Sequence, residues 1–236
     1  MMPGTTGKCH LSGTIAALAC CSCLAIRAFD VILDPAQVSR LLAEITELHD
    51  QSKNSKTRAA QLEGLYEMGE RVLDLTGLMT QDLSGHGGND PSLVGLIERR
   101  LKENGIVISK YANAWHYDMA AFREYIRLAP AGPRALDARY ALVGFDEPGD
   151  DVAGLQKSIA AKESFLRSYP KYADLSVVEL LLAQQHNHLA RVYSAQHQTA
   201  LSEQQRKLAR ERYQRIVRLY PKSEEAETAR DALAVQ

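Results

Sequence analysis

Two histidines near the C-terminal third of the chain suggest a metal site: His186 and His188, separated by Asn187. Residues two apart on a helix point ~200° away from each other, so the two imidazoles cannot share one metal ion there. Helical metal sites place their histidines four residues apart, as in H-E-x-x-H. We therefore interpret His186-Asn187-His188 as polar surface residues.

Three further clusters lack the partners that chemistry would need. His86 lies in the glycine-rich loop 84–89 and has no Ser, Cys or Asp at a catalytic spacing. That loop also lacks the Gly-Lys-Ser/Thr ending of a phosphate loop and follows no predicted strand. The acidic turn 146–151 does not alternate as a Ca²⁺ loop does and predicts a solvated turn. The sequence thus predicts no catalytic residue, no metal site and no cofactor.

Basic side chains concentrate near the C-terminus, where Arg215, Arg218 and Lys222 share one helix face of a longer basic stretch (Lys207, Arg210, Arg212, Arg215, Arg218 and Lys222). Such a face could meet phosphate head groups or an acidic partner. Glu203 and Glu211 offset its charge, and we interpret it as a solvated face. The whole chain carries 28 Lys and Arg against 29 Asp and Glu, a balance that argues against a nucleic-acid binder.

All four cysteines lie in the first 23 residues, so the rest of the chain has none for a disulfide or a zinc site. The charge-free run 11–26 is sixteen residues long, which is short for a membrane span and typical of an export signal. Ala17-Leu18-Ala19 resembles a cleavage site and is followed directly by Cys20.

Small residues ahead of a cysteine resemble the bacterial lipobox, in which that cysteine is lipidated. The resemblance implies lipid on Cys20, with Cys21 as the alternate, and assigns 1–28 to a signal peptide or lipoprotein anchor. Cleavage without lipidation and an uncleaved helical anchor remain open.

Apolar residues at helical spacing run through 29–105. Asp34-Pro35 and Asp90-Pro91 each place an N-cap residue before a proline, which favours a helix start. We predict a helix after Asp34, a second after Ser55, and a third that ends at the C-cap Gly105.

A fourth helix is expected over 107–128, with Trp115-His116-Tyr117 near its start as core-packing residues. No run alternates β-branched residues, so no sheet is expected.

The C-terminal half repeats around three prolines, Pro130, Pro170 and Pro221. Apolar or small residues recur at fixed offsets: five before the proline (Tyr125, Phe165, Ile216), four before (Ile126, Leu166, Val217), eight after (Ala138, Val178, Ala229) and twelve after (Leu142, Leu182, Leu233). Each proline disfavours helical geometry in the residue before it and so marks a turn between two helices. Each unit buries its apolar stripe only by stacking on its neighbours.

This pattern resembles the tetratricopeptide repeat (TPR). Ala209, Tyr213 and Ile216 occupy the small-aromatic-small positions of a second TPR helix, whereas Lys162 stands at an aromatic position. The segments FLRSYPKYAD and IVRLYPKSEEAETA look like those of TPR-like lipoproteins of bacterial envelopes. These include the BamD family of the outer-membrane barrel-assembly machinery and the Tol-Pal-linked cell-division coordinator proteins.

The resemblance implies an all-α fold, a TPR-like helical hairpin array (α-solenoid) over 106–236 with additional N-terminal helices over 29–105. It also implies a non-catalytic adapter on the periplasmic side of the envelope, an outer-membrane lipoprotein. Such an adapter would bind a protein or peptide partner, with outer-membrane protein assembly as one candidate pathway. Its groove would be lined by 134–144 and 174–196. A cytoplasmic TPR adapter, and an enzyme with its site in 29–105, are the alternatives.

Overall fold

The computed structural model describes residues 33–84, 89–111, 113–145 and 151–235, and 78% of these residues are helical. The described part contains nine helices and one β-hairpin. The elements are α1 (Pro35–Asn54), α2 (Arg58–Ser84), α3 (Pro91–Glu103), β1 (Ile108–Tyr111), β2 (Ala114–Tyr117), α4 (Ala120–Leu128), α5 (Ala135–Phe145), α6 (Val152–Ser168), α7 (Leu175–Ala195), α8 (Thr199–Leu219) and α9 (Glu224–Ala234).

The predicted starts of the first and third helices are confirmed, and the third helix ends two residues before Gly105, with Asn104 as its C-cap residue. The Asp34 carboxylate accepts hydrogen bonds from the next two non-proline amides at 3.1 and 3.3 Å, with Pro35 in the first turn of α1. Asp90 caps α3 in the same way at 2.8 Å, ahead of Pro91. Gly105 follows the end of α3 with φ at +69°, a left-handed conformation that glycine adopts readily.

The predicted fourth helix is wrong over 107–117, because strands β1 and β2 form an antiparallel hairpin there. Trp115 and Tyr117 are buried while Ala114 and His116 are only half-buried, an alternation typical of a half-covered strand. Asn113 reverses the chain with φ at +61°, a conformation that asparagine tolerates better than most residues. The expectation of no sheet is therefore also wrong, although the fold is mostly helical.

The core-packing interpretation of Trp115 is confirmed. Its side chain is buried, and its indole Nε1 donates to Asn89 Oδ1 at 2.7 Å. The hairpin therefore packs against the N-terminal helices through the buried side chain of Trp115.

Three helix–turn–helix units, α4–α5, α6–α7 and α8–α9, share one turn at the three prolines. The residue before each proline ends its helix by donating its amide to the carbonyl four residues back: Ala129 to Tyr125 at 2.8 Å, Tyr169 to Phe165 at 2.9 Å and Tyr220 to Ile216 at 2.8 Å. The amide two residues after each proline donates to the carbonyl of the residue before that proline, at 2.9, 3.1 and 2.9 Å. The local repeat predicted from the prolines is therefore present in the backbone.

The same register predicts burial. The residues eight before each proline are all buried (Phe122, Lys162, Tyr213), as are those five before (Tyr125, Phe165, Ile216) and eight after (Ala138, Val178, Ala229). Lys162 is buried although it replaces the aromatic residue, and its Nζ donates to Ser158 Oγ at 2.9 Å. The lysine stem occupies the core while its ammonium is held by a neighbouring helix turn.

A continuous apolar core joins the N-terminal helices, the hairpin and the first repeat unit. At its centre the Phe122 ring of α4 packs directly on Gly69 of α2. A Cβ added at Gly69 would lie 2.8 Å from Phe122 Cζ, so the glycine permits the close approach of the two helices.

Candidate binding surface

The guanidinium of Arg134 lies at the junction of α2 and α5, just before the first turn of α5. Its Cζ stands 4.2 Å from the centre of the Tyr66 ring, a cation–π contact. Its Nη1 is 3.3 Å from Asp137 Oδ2, and its Nη2 is 3.6 Å from Glu67 Oε1. An aromatic face and two carboxylates thus hold one guanidinium on this surface.

Acidic residues continue from there along α2. Glu63, Glu67, Glu70 and Asp74 are spaced four, three and four residues apart, which puts them on one helix face. The pKa of Glu70 is raised to about 7, chiefly by burial. The hydrogen bond with the Tyr66 hydroxyl lowers this pKa, and the charges of Asp74 and Glu67 raise it.

A second acidic group lies where the N-terminal ends of α5, α7 and α9 meet. We call it the acidic pocket: Asp137, Asp174 and Glu225, with the rings of Tyr140 and Tyr172. The two ring centres are 4.9 Å apart, and the Tyr172 hydroxyl donates to Asp137 Oδ1 at 3.3 Å. Asp174 is exposed at the rim, whereas Glu225 is buried.

The carboxylates of the acidic pocket act on one another and on the two tyrosines. The pKa of Asp174 is raised, first by partial desolvation of its carboxyl group and then by the negative charges of Glu225 and Asp137. The pKa values of Tyr140 and Tyr172 are also raised, by burial and by these carboxylates. Of these three carboxylates Arg134 reaches only Asp137, and in the described structure Asp174 and Glu225 form no ion pair.

The stretches expected to line a groove belong in part to this surface. Asp137 and Tyr140 lie on α5, and Asp174 is the N-cap residue of α7. Most of α7 is not free for a partner, however, because it packs against α5, α6, α8 and α9 and about half of its side chains are buried. The resemblance alone does not predict the acidic pocket. Asp174 and Glu225 do share one offset, four residues after their prolines, and that recurrence was the available signal.

A polar seam joins α7 to α8. Glu179 of α7, almost fully buried, accepts from Arg212 Nη1 at 3.1 Å and from Arg215 Nε at 2.8 Å. The other Nη of Arg212 reaches Glu163 of α6 at 3.0 Å. The solvated-face interpretation of the basic stretch is therefore wrong for Arg212, and exposed Arg215 also has a buried partner. Lys207, Arg210, Arg218 and Lys222 are exposed as expected.

Two turns along the same seam, His186 Nδ1 lies 2.7 Å from Gln205 Oε1. The interpretation of His186 as a surface residue is wrong, because its side chain is buried; Asn187 and His188 are half-buried. Burial lowers the pKa of His186, and the positive charge of Arg212 lowers it further. Between the two polar pairs, Ala183 and Ala209 are both fully buried in one cluster. Beyond His186, Ser202 Oγ donates to the Ala190 carbonyl at 2.8 Å. Polar and small layers therefore alternate along the seam.

Several predicted residues lie outside the described ranges. They are the lipidation candidates Cys20 and Cys21, His86 with its glycines, and residues 146–150 of the acidic turn. Asp151, the last residue of that turn, caps α6 by accepting from the Gly154 amide. Within the described ranges, no group of three His, Cys, Asp or Glu side chains is placed to hold a metal ion.

Comparison with known proteins gives no match: no family model fits the chain, and no curated protein or solved structure is significantly similar to it. None of the described helices is both long enough and apolar enough to cross a bilayer.

Proposed function

We propose that this protein is a non-catalytic adapter that holds a protein partner on TPR-like helical hairpins at the bacterial envelope. The proposal is carried by one observation, the turn that recurs with the same hydrogen bonds at Pro130, Pro170 and Pro221. Stacked helical units of this kind create extended surfaces, and such surfaces bind peptide segments and helices.

The order of helix contacts supports the same proposal. Helix α7 contacts both α5 and α9, and it also packs against α6 and α8. In a TPR-like arrangement α5, α7 and α9 would then line the inner surface, with α6 and α8 behind them. The acidic pocket would then lie on that inner surface, at the end where the three helices begin.

Site-specific photo-crosslinking in the native host tests the adapter role. A photoreactive residue replaces Ala173, which is exposed beside Asp174, and in a matched control it replaces Gln214, which is exposed on α8. We expect a discrete crosslinked protein from position 173 and none from position 214. Absence of an adduct at 173, or equal adducts at both positions, contradicts the proposed inner binding surface.

Membrane attachment is a separate part of the proposal and rests on the lipobox resemblance. A protein with more than one acyl chain stays on a membrane, whereas one chain binds marginally. We expect a variant with Cys20→Ser and Cys21→Ser to leave the membrane fraction, while Cys9→Ser does not. A double variant that remains in the membrane fraction with an intact N-terminus would mean an uncleaved anchor instead.

A further inference from the structure

We propose that the exposed half of α8 rests on an anionic membrane surface, with its basic side chains among the lipid phosphates and two leucines at the level of the head groups. This inference rests on the membrane attachment proposed above and adds how the anchored protein is oriented. Two observations carry it: a surplus of exposed basic side chains on α8, and two exposed leucines beside them.

Positive charge is concentrated in one part of an almost neutral chain. The range 152–222, which contains α6, α7 and α8, has twelve Lys and Arg against five Asp and Glu, a net charge of +7, whereas the whole chain has −1. A charge asymmetry of this size is typical of proteins that bind anionic surfaces.

The polar seam pairs acidic side chains with two arginines and leaves the other basic residues in surplus. The two carboxylates of the seam, from α6 and α7, pair with Arg212 and Arg215. Two exposed glutamates on α8 reduce the remaining positive charge without cancelling it. Four basic residues of α8 are exposed and form no ion pair with another described residue: Arg206, Lys207, Arg210 and Arg218.

Three of these residues form what we call the basic strip: Lys207, Arg210 and Arg218. At 3.6 residues per turn they lie within an arc of ~80° around α8, on the side away from its buried residues. The strip is about 17 Å long, so it can meet more than one lipid phosphate. Its residues are spread along the helix rather than gathered around one point, as contact with a flat surface requires.

Apolar side chains lie next to the basic strip. Leu201 is 40% exposed and Leu219 is 46% exposed, although large apolar side chains are mostly buried in the described structure. The two leucines are a whole number of turns apart and form one line along α8, ~100° beyond Arg218. Arg215, which is also exposed, lies between this line and the strip. Helices that lie in the plane of a membrane combine basic and apolar side chains in this way.

The modest charge of the basic strip suits a protein that is already anchored. A few basic side chains alone bind an anionic bilayer weakly and are screened by salt. Beside an acyl anchor the same contact becomes intramolecular, and stable attachment commonly combines a lipid with a basic patch. The strip would therefore fix the orientation of the anchored protein, with α8 toward the lipid.

Vesicle binding of the full chain tests the proposal. The protein carries Cys20→Ser and Cys21→Ser, so that no acyl chain contributes, and it is sedimented with vesicles of phosphatidylcholine alone or with about 30% phosphatidylglycerol added. The neutral vesicles measure any binding through the apolar run 11–26. We expect phosphatidylglycerol to raise the partition coefficient at least tenfold at about 0.1 M salt, and about 0.5 M salt to abolish the increase. Equal binding to neutral and anionic vesicles at the lower salt concentration overturns the proposal.

Variants of the basic strip locate the contact. Lys207→Gln, Arg210→Gln and Arg218→Gln together should remove the increase that phosphatidylglycerol causes. The control combines Arg40→Gln, Arg99→Gln and Lys102→Gln, which remove the same charge from exposed positions of α1 and α3, and it should keep the increase. Equal losses in the two triple variants contradict the proposal.

A second pair of variants tests the leucines. Leu201→Ser with Leu219→Ser should weaken binding to the anionic vesicles several-fold. Val107→Ser with Val235→Ser changes two other exposed apolar side chains and should leave that binding unchanged. If both double variants bind like the parent protein, the leucines do not touch the bilayer and the proposed orientation is wrong.

Crosslinking from position 214 separates a membrane from an acidic protein, because Gln214 lies within the arc of the basic strip. A lipid adduct at 214 supports the proposal, whereas a discrete protein adduct there overturns it. The adapter role fails independently, through the absence of an adduct at 173. The anchor is also tested independently, because washing membranes with about 0.5 M salt releases the α8 contact and leaves an acyl anchor in place.

Discussion

Glu70→Gln should raise the stability of the protein at alkaline pH and change it little at acid pH. The carboxyl of Glu70 has its pKa raised from an ordinary value of 4.5 to about 7 by burial beside Tyr66 on α2. The folded state therefore binds this proton more tightly than the unfolded chain does. The resulting stabilisation is present in full below pH 4.5 and is lost as the pH rises through 7.

The magnitude follows from the size of the shift. One pKa unit corresponds to about 1.4 kcal/mol, so the shift from 4.5 to about 7 sets an upper bound of about 3 kcal/mol on the free energy lost above neutrality. Glu70 is half-buried, and water reaching its carboxylate reduces that figure. We expect a difference of about 1–3 kcal/mol between the effects of Glu70→Gln at pH 5 and at pH 8.5.

Urea unfolding followed by circular dichroism at both pH values measures this difference. Glu63→Gln is the matched control, because Glu63 lies on the same face of α2, is exposed and removes the same charge. Every other titrating group is common to wild type and variant and cancels from the comparison. If Glu70→Gln and Glu63→Gln change the free energy of unfolding equally at pH 5 and pH 8.5, the explanation from burial is wrong.

Three further predictions concern packing. Gly69→Ala should destabilise the protein by about 1–2 kcal/mol, because the new Cβ would meet the Phe122 ring at 2.8 Å. Gly95→Ala, in α3 with no atom within 4 Å of the new Cβ, should instead stabilise the protein by up to about 1 kcal/mol. Changes of the same sign in the free energy of unfolding of both variants would contradict this packing. Leu182→Asp should destabilise the protein by several kcal/mol because Leu182 is fully buried. Leu201→Asp, at a position 40% exposed, should change the melting temperature little. Similar melting temperatures for the two variants would contradict the repeat register. Glu179→Gln should lower the free energy of unfolding by at least about 2 kcal/mol, because it leaves Arg212 and Arg215 without their shared carboxylate. Glu203→Gln is the control. Equal free energies of unfolding for the two variants would mean that the ion pair contributes nothing.

Features that depend on neighbouring residues could be predicted from the sequence. The N-caps Asp34 and Asp90 and the three proline turns follow from local backbone chemistry, which the sequence states directly. The hairpin was missed because its strands are only four residues long and its signal, buried Trp115 and Tyr117 on either side of His116, is equally compatible with a helix end.

Features that depend on distant residues could not be predicted. Arg212 and Glu179 are 33 residues apart, and only the antiparallel packing of α7 on α8 turns a basic surface stretch into a buried ion pair. His186 is buried for the same reason. The acidic pocket likewise requires three helix ends to meet, although the shared offset of Asp174 and Glu225 from their prolines gave a partial indication.

The alternating layers of the polar seam also limit how this protein can move. A slide of α8 along α7 by one helical turn, about 5 Å, would bring Gln205 or Tyr213 in place of Ala209 opposite Ala183, where the two helices pack through small, fully buried side chains. That misfit opposes shear between the two helices, so they should travel as one rigid pair. Any change of shape on partner binding is then confined to hinge rotation at the proline turns, which would open or close the inner surface without changing the pairing of α7 with α8.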